Sequence, residues 1–176
     1  MRWVNKRVGA MTVVAAMLAA CALEQGDGSR FDASEVTWSK APGRNIIAGA
    51  ATLGTESGKV RTCASLPVRL APDSDYTRAR IARLYGDDDE AFVDARSARR
   101  LRERAQVDKQ YERSLKSSVC DAQGRFAFRN LPDGTYYVLA PVVWKNKLGE
   151  VANGGFFMQR VTVAGGETRR LTLAMR

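Results

Sequence analysis

The 176-residue chain contains no histidine. That removes Ser-His-Asp and Cys-His catalysis, His-ligated zinc and the imidazole proton shuttle. No paired-carboxylate motif takes their place. The chain is therefore expected not to be an enzyme and to carry neither cofactor nor metal. Three other groups of side chains could still do chemistry. The cysteines are Cys21, Cys63 and Cys120. Arginines gather at Arg78, Arg80 and Arg83 and again at Arg96, Arg99, Arg100, Arg102 and Arg104. The second group is a candidate site for anionic lipid head groups, at about 1 kcal/mol per side chain near such a surface, for an acidic polymer or for a protein partner. A solvated helix face is the competing reading. The run Asp87, Asp88, Asp89 and Glu90 could attract calcium, but it lacks interleaved EF-hand spacing and reads more simply as acids at a helix start.

The aromatic residues Tyr137, Trp144, Phe156 and Phe157 could form a platform on which sugar rings stack, although aromatics in so small a domain are usually core. Alternation along a strand puts Tyr136 and Tyr137 on opposite faces, which predicts that one of them is exposed. Tyr137 and Trp144 are the candidate stacking residues.

The elements that would position these groups are mainly β. Strands are expected at 46–53 (IIAGAATL), at 66–71 (LPVRLA, with Leu66, Val68 and Leu70 on one face), and at 111–120 with Tyr111, Leu115 and Val119 on one face. Residues 125–129 (RFAFR) bury Phe126 and Phe128, and 130–134 (NLPDG) turn the chain. A long strand over 136–144 is expected to bend at Pro141, followed by a turn at Gly154-Gly155. Strands 156–163 and 168–175 then form a hairpin through Gly165-Gly166. Between these strands the spacing predicts two helical pieces within an insertion at about 75–106. One covers 75–85 with Asp75 as N-cap, and the other covers 90–106 with Phe92, Ala95, Ala98 and Leu101 on a narrow stripe. The expected fold is a seven-stranded antiparallel β-sandwich with a short helical insertion.

The N-terminus reads as an address. Arg2, Lys6 and Arg7 precede residues 8–20, which carry no charge and are too few to span a ~30 Å hydrocarbon core. The ending Leu18-Ala19-Ala20-Cys21 resembles the bacterial lipobox. That resemblance implies a signal peptide at 1–20, lipidation of Cys21, and membrane lipid as a partner. With Ala22 rather than Asp next, it favours the outer membrane facing the periplasm. Two or three acyl chains would anchor firmly. Cleavage takes the net charge from +9 to +6, since Arg2, Lys6 and Arg7 are lost. Nucleic acid is not an expected partner of an exported chain. Residues 21–44 read as a lipidated N-terminus and flexible tether, reaching on the order of 25–30 Å; loose alternation of Phe31, Val36 and Trp38 would also let part of it pair as an edge strand. Export leaves Cys63 and Cys120 in an oxidising compartment, able to form one bridge or none. The bridge is the expectation.

From Asp121 to Val138 the run DAQGRFAFRNLPDGTYYV resembles the signature of carboxypeptidase-regulatory-like domains, which have a prealbumin-like (transthyretin-like) β-sandwich. The likeness extends more loosely over 45–176. It implies the fold but says little about activity, because such domains are accessory modules in many proteins. The hydroxyisourate hydrolases of the transthyretin-like group use histidines, which are missing here. The expected function is a non-catalytic, lipid-anchored cell-envelope module that is structural or binds another envelope protein. The alternative is a glycan- or peptidoglycan-binding accessory domain.

Overall fold

The computed structural model describes residues 30–104, 107–145 and 151–175, with side chains throughout these except 102–104, 151 and 152. A 3-10 helix at Ala33–Lys40 comes first. It is followed by β1 (Asn45–Gly54), β2 (Val60–Thr62), β3 (Pro67–Pro72), α1 (Asp75–Tyr85), β4 (Glu90–Asp94), α2 (Ala95–Arg104) and α3 (Lys109–Ser114). The chain then forms β5 (Lys116–Val119), β6 (Arg125–Leu131), β7 (Gly134–Lys145), β8 (Val151–Val163) and β9 (Thr168–Met175). The described residues thus hold nine strands rather than seven. The three-residue β2 is too short to leave a periodic signal, and β4 lies where a helix was expected.

The strands form two sheets. In the first, β9 runs parallel along one edge of β1, while β6 and β2 divide the other edge, pairing with 45–50 and 52–54. The second is antiparallel throughout, in the order β4-β8-β7-β3-β5. Their inner faces meet in one apolar cluster. Ile47, Phe126, Phe128 and Leu173 from the first sheet pack with Val68, Leu70, Tyr136, Val138 and Val161 from the second. Fully burying such side chains stabilises by about 1.5–3 kcal/mol each.

The outer face of the second sheet is also covered. Ala71, Tyr137 and Met158 pack there beneath Ile81 and Tyr76 of α1, Tyr111 of α3, and Phe31 and Val36 beside and within the 3-10 helix. Phe31 meets Tyr76 and Tyr111 edge-on, each at 5.6 Å between ring centroids. Residues 30–44 are consequently not a free tether, nor an edge strand. Asp32 caps the 3-10 helix through Ser34 N–H, Val36 is buried, and Trp38 tilts over Tyr136 at 5.1 Å. Gly134 has to be glycine here, because a Cβ would come within 2.2 Å of the Trp38 ring.

Other expectations change for local reasons. Ser74, not Asp75, caps α1: its Oγ accepts the Thr77 N–H, and Gly86 closes the helix in the left-handed conformation. Asp75 instead receives Arg78 and donates its own N–H to Glu35, tying α1 to the 3-10 helix. The expected helix over 90–106 is a strand followed by a helix, since Phe92 and Val93 pair with Phe157 and Phe156 at the edge of the second sheet. Asp94 then accepts the Arg96 and Ser97 N–H groups and starts α2. Asp87, Asp88 and Asp89 therefore precede β4 and Glu90 opens it, so these acids do not complement a helix dipole.

Tyr111 belongs to α3 rather than to a strand, Asp108 capping that helix, and Val119 is exposed on the edge strand β5. Pro141 makes no bulge in β7: its register with Phe156 is regular, and the β3 ladder ends at Leu139 before the proline is reached. Gly154 and Gly155 lie inside β8, where Cβ atoms would come within 2.0 Å of Val142 O and 2.3 Å of Phe92. The Gly165-Gly166 turn, both residues at positive φ, does not close a hairpin, because it carries the chain across to the first sheet.

Candidate functional site

Cys63 and Cys120 are joined, with Cα atoms 5.8 Å apart across a separation of 57 residues. The bridge closes the base of the segment that contains α1, β4, α2, α3 and β5. Cys21, the candidate lipidation residue, lies outside the described residues.

Of the two candidate stacking residues the structure keeps one. Tyr137 is fully buried. Alternation does put Tyr136 and Tyr137 on opposite faces of β7, but one face meets the first sheet and the other meets the helical layer, so neither is exposed. Phe157 is also core, against Phe92 at 4.8 Å. Trp144, by contrast, is half-buried near the end of β7. Here the β7–β8 ladder has its register irregularity, between Trp144 and Lys145, and such irregularities re-aim side chains.

Trp144 lines an open cleft of about 600 Å³ at one end of the sandwich, within the range of about 300–1,000 Å³ typical of ligand sites. Around Trp144 the cleft gathers side chains from five further parts of the sequence. The turn after β1 supplies Thr55, Glu56, Ser57 and Lys59, and β2 supplies Arg61. β4 contributes Phe92, α2 Arg96, and β8 Asn153 opposite Trp144. The turn is held by its own bonds: Thr55 Oγ1 accepts the Lys59 N–H and donates to the Lys59 carbonyl. The Trp144 ring packs so close to Gly154 that a Cβ there would lie 2.7 Å from it. Arg61 lies over the ring with its guanidinium carbon 5.5 Å from the centroid. Exposed contacts of this kind are worth about 0.5–1 kcal/mol, so Arg61 can leave the ring at little cost.

The arginine group is divided by the fold. Ala95 and Ala98 bury one face of α2, while Arg96, Arg99 and Arg100 are exposed. Arg96 reaches the cleft. Arg100 is held toward Ser97 Oγ at 3.4 Å. The side chains of Arg102 and Arg104 lie outside the described residues. Among the described residues no helix is long and apolar enough to cross a membrane.

A second cavity, about 490 Å³, lies under α1 and α3 between Arg69, Arg80, Leu84, Tyr111 and Leu139. Tyr111 Oη is buried there without a hydrogen-bond partner. Burial pushes its pKa up to about 12, and the Arg80 guanidinium offsets this only in part.

Sequence reasoning found Trp144 and Arg96 separately and missed Lys59, Arg61, Phe92 and Asn153. None of these has a local signature, since only the end-on meeting of β2, β4, β7 and β8 makes them neighbours.

No family model and no curated protein matches the chain. Among solved structures, the crystal structure of a putative carbohydrate binding protein from Pseudomonas aeruginosa is similar, with a TM-score of 0.66. The match covers 82% of this chain and 97% of that one at 24% sequence identity. At that identity the likeness concerns the fold alone.

Proposed function

We propose that this chain is a non-catalytic, lipid-anchored envelope protein whose sandwich binds glycan in the cleft around Trp144. The observation that carries the glycan reading is the cleft itself. A half-buried indole sits beside the Asn153 amide, the Thr55 and Ser57 hydroxyls and the charged groups of Lys59, Arg61 and Arg96. A flat apolar ring suits the C–H face of a pyranose, and surrounding donors and acceptors suit its hydroxyls. The description of the structurally similar protein points the same way. This support ranks glycan binding above the purely structural or protein-docking role.

The anchor rests on the N-terminal pattern from Arg2 to Cys21, and Ala22 favours an outer membrane facing the periplasm. The prealbumin-like, carboxypeptidase-regulatory-like assignment rests on the run from Asp121 to Val138. Phe126 and Phe128 enter the core from β6, and the Leu131 to Gly134 turn leads into the tyrosines of β7.

The binding test is a glycan array together with peptidoglycan sedimentation, using the full chain in detergent and the Trp144→Leu variant. Leucine keeps apolar contact beside Gly154 but removes the flat ring. Retention by the parent and at least about tenfold weaker retention by the variant, with matching circular dichroism, is the expected result. A folded parent that binds nothing refutes the reading. The anchor is tested separately by intact mass: the chain should begin at Cys21 and carry added acyl mass.

A further inference from the structure

We infer that the cleft is selective for acidic saccharides, those carrying carboxylate groups. The inference rests on the glycan reading above and deepens it. Three cations, Lys59, Arg61 and Arg96, line the cleft against one acid, Glu56. They come from the turn after β1, from β2 and from α2, and Arg61 lies over the face of the Trp144 ring. None of the three has a carboxylate within ion-pair distance among the described residues. By contrast, Arg78, Arg125, Arg160 and Arg169 are each satisfied by an Asp or Glu of their own surroundings.

A neutral sugar would leave this positive potential unanswered. A carboxylate answers it, because a guanidinium offers two parallel N–H donors that match its two oxygens. Arg61 explains how ring and charge can serve one ligand. When the sugar takes the face of Trp144, the exposed guanidinium turns off the ring onto the acid substituent. It exchanges a weak ring contact for a charge-assisted hydrogen bond. Arg96 on α2 and Lys59 on the turn reach the same cleft from its other walls, so acids on successive sugar residues can be met as well.

The chemistry could come from a uronate polymer or from the peptide carboxylates of peptidoglycan, and two matched probe pairs separate these. One pair is tetragalacturonate and its methyl ester, which share a backbone and differ in charge. The other is a muropeptide and its amidated form. Calorimetric titration of the full chain in detergent should show the acidic member of one pair binding about tenfold or more tightly than its neutral partner, with the preference shrinking at high salt. The pair that shows it identifies the source. In the Arg61→Gln/Arg96→Gln double variant, whose replaced side chains are exposed, the acidic-to-neutral ratio should fall toward one. Equal binding of acidic and neutral members, or a ratio unmoved in the double variant, overturns the inference and leaves glycan binding intact. Array binding confined to neutral glycans does the same. A blank array with folded protein removes both.

Discussion

Replacing Cys63 and Cys120 together with alanine deletes a cross-link while leaving its surroundings almost unchanged. Both sulfurs are buried, Cys63 wholly and Cys120 at 4% exposure. The backbone around them is held independently. Ser65 N–H donates to Cys120 O at 3.0 Å, Cys120 N–H to Leu66 O at 3.1 Å, and Cys63 N–H to Ala51 O at 3.2 Å. The native arrangement should therefore survive, and the effect should fall on the unfolded chain. With the cysteines 57 positions apart, the loop-entropy relation puts the loss at about 4 kcal/mol. For a domain of this size that corresponds to a fall in Tm of roughly 8–16 °C. The released chain also expands further when unfolded, so the denaturant m-value should rise. Thermal and guanidinium unfolding of the parent and the double variant, followed by circular dichroism, measure both quantities. A fall in Tm below about 3 °C with an unchanged m-value would refute the reasoning. It would mean that the unfolded chain is already restrained near the insertion, or that the bridge strains the folded state as much as it restrains the unfolded one.

Asn45 is fully buried where β1 begins, and its side chain joins two distant turns. Its amide N–H groups donate to Leu131 O and Asp133 Oδ1, and its oxygen accepts the Gly166 and Glu167 N–H groups. Asn45→Ala should cost about 2–4 kcal/mol in chemical denaturation, and a loss under 1 kcal/mol would show that water replaces these bonds freely. Tyr111 has its pKa raised to about 12 by burial, above the ordinary value near 10. A raised folded-state value means the full contribution is present below about pH 10 and is lost as pH climbs toward 12, by about 2–3 kcal/mol over that window. Tyr111→Phe should flatten that part of the alkaline stability profile. It should also be neutral or slightly stabilising at pH 7, since it removes a buried hydroxyl without a partner; an unchanged alkaline slope would contradict the assignment.

Local rules were legible wherever a side chain's role depended on its immediate neighbours along the chain. The alternation of RFAFR placed Phe126 and Phe128 in the core, and NLPDG marked the reversal between β6 and β7. The span of α1 followed from apolar spacing, although Ser74 replaced Asp75 as its cap. The pairing of Cys63 with Cys120, expected from the cysteine count together with an expected oxidising compartment, is present in the structure.

What sequence could not decide was which faces and edges would be covered. Alternation says that Tyr136 and Tyr137 point opposite ways. It does not say that a second sheet waits on one side and a helical layer on the other, which is why Tyr137 is core and not a platform. Glycine pairs look alike whether they turn the chain, as Gly165-Gly166 do, or let Phe92 and Val142 press against a strand, as Gly154-Gly155 do. A spacing of three at Phe92, Ala95 and Ala98 reads as a helix until pairing with β8 claims its first member. The cleft depended most on tertiary structure: Lys59, Arg61, Phe92, Arg96, Trp144 and Asn153 span nearly a hundred positions and meet only because β2, β4, β7 and β8 come together at one end of the sandwich. Residue types and local periods are properties of the chain. Adjacency across sheets is a property of packing, and the candidate site is made of adjacency.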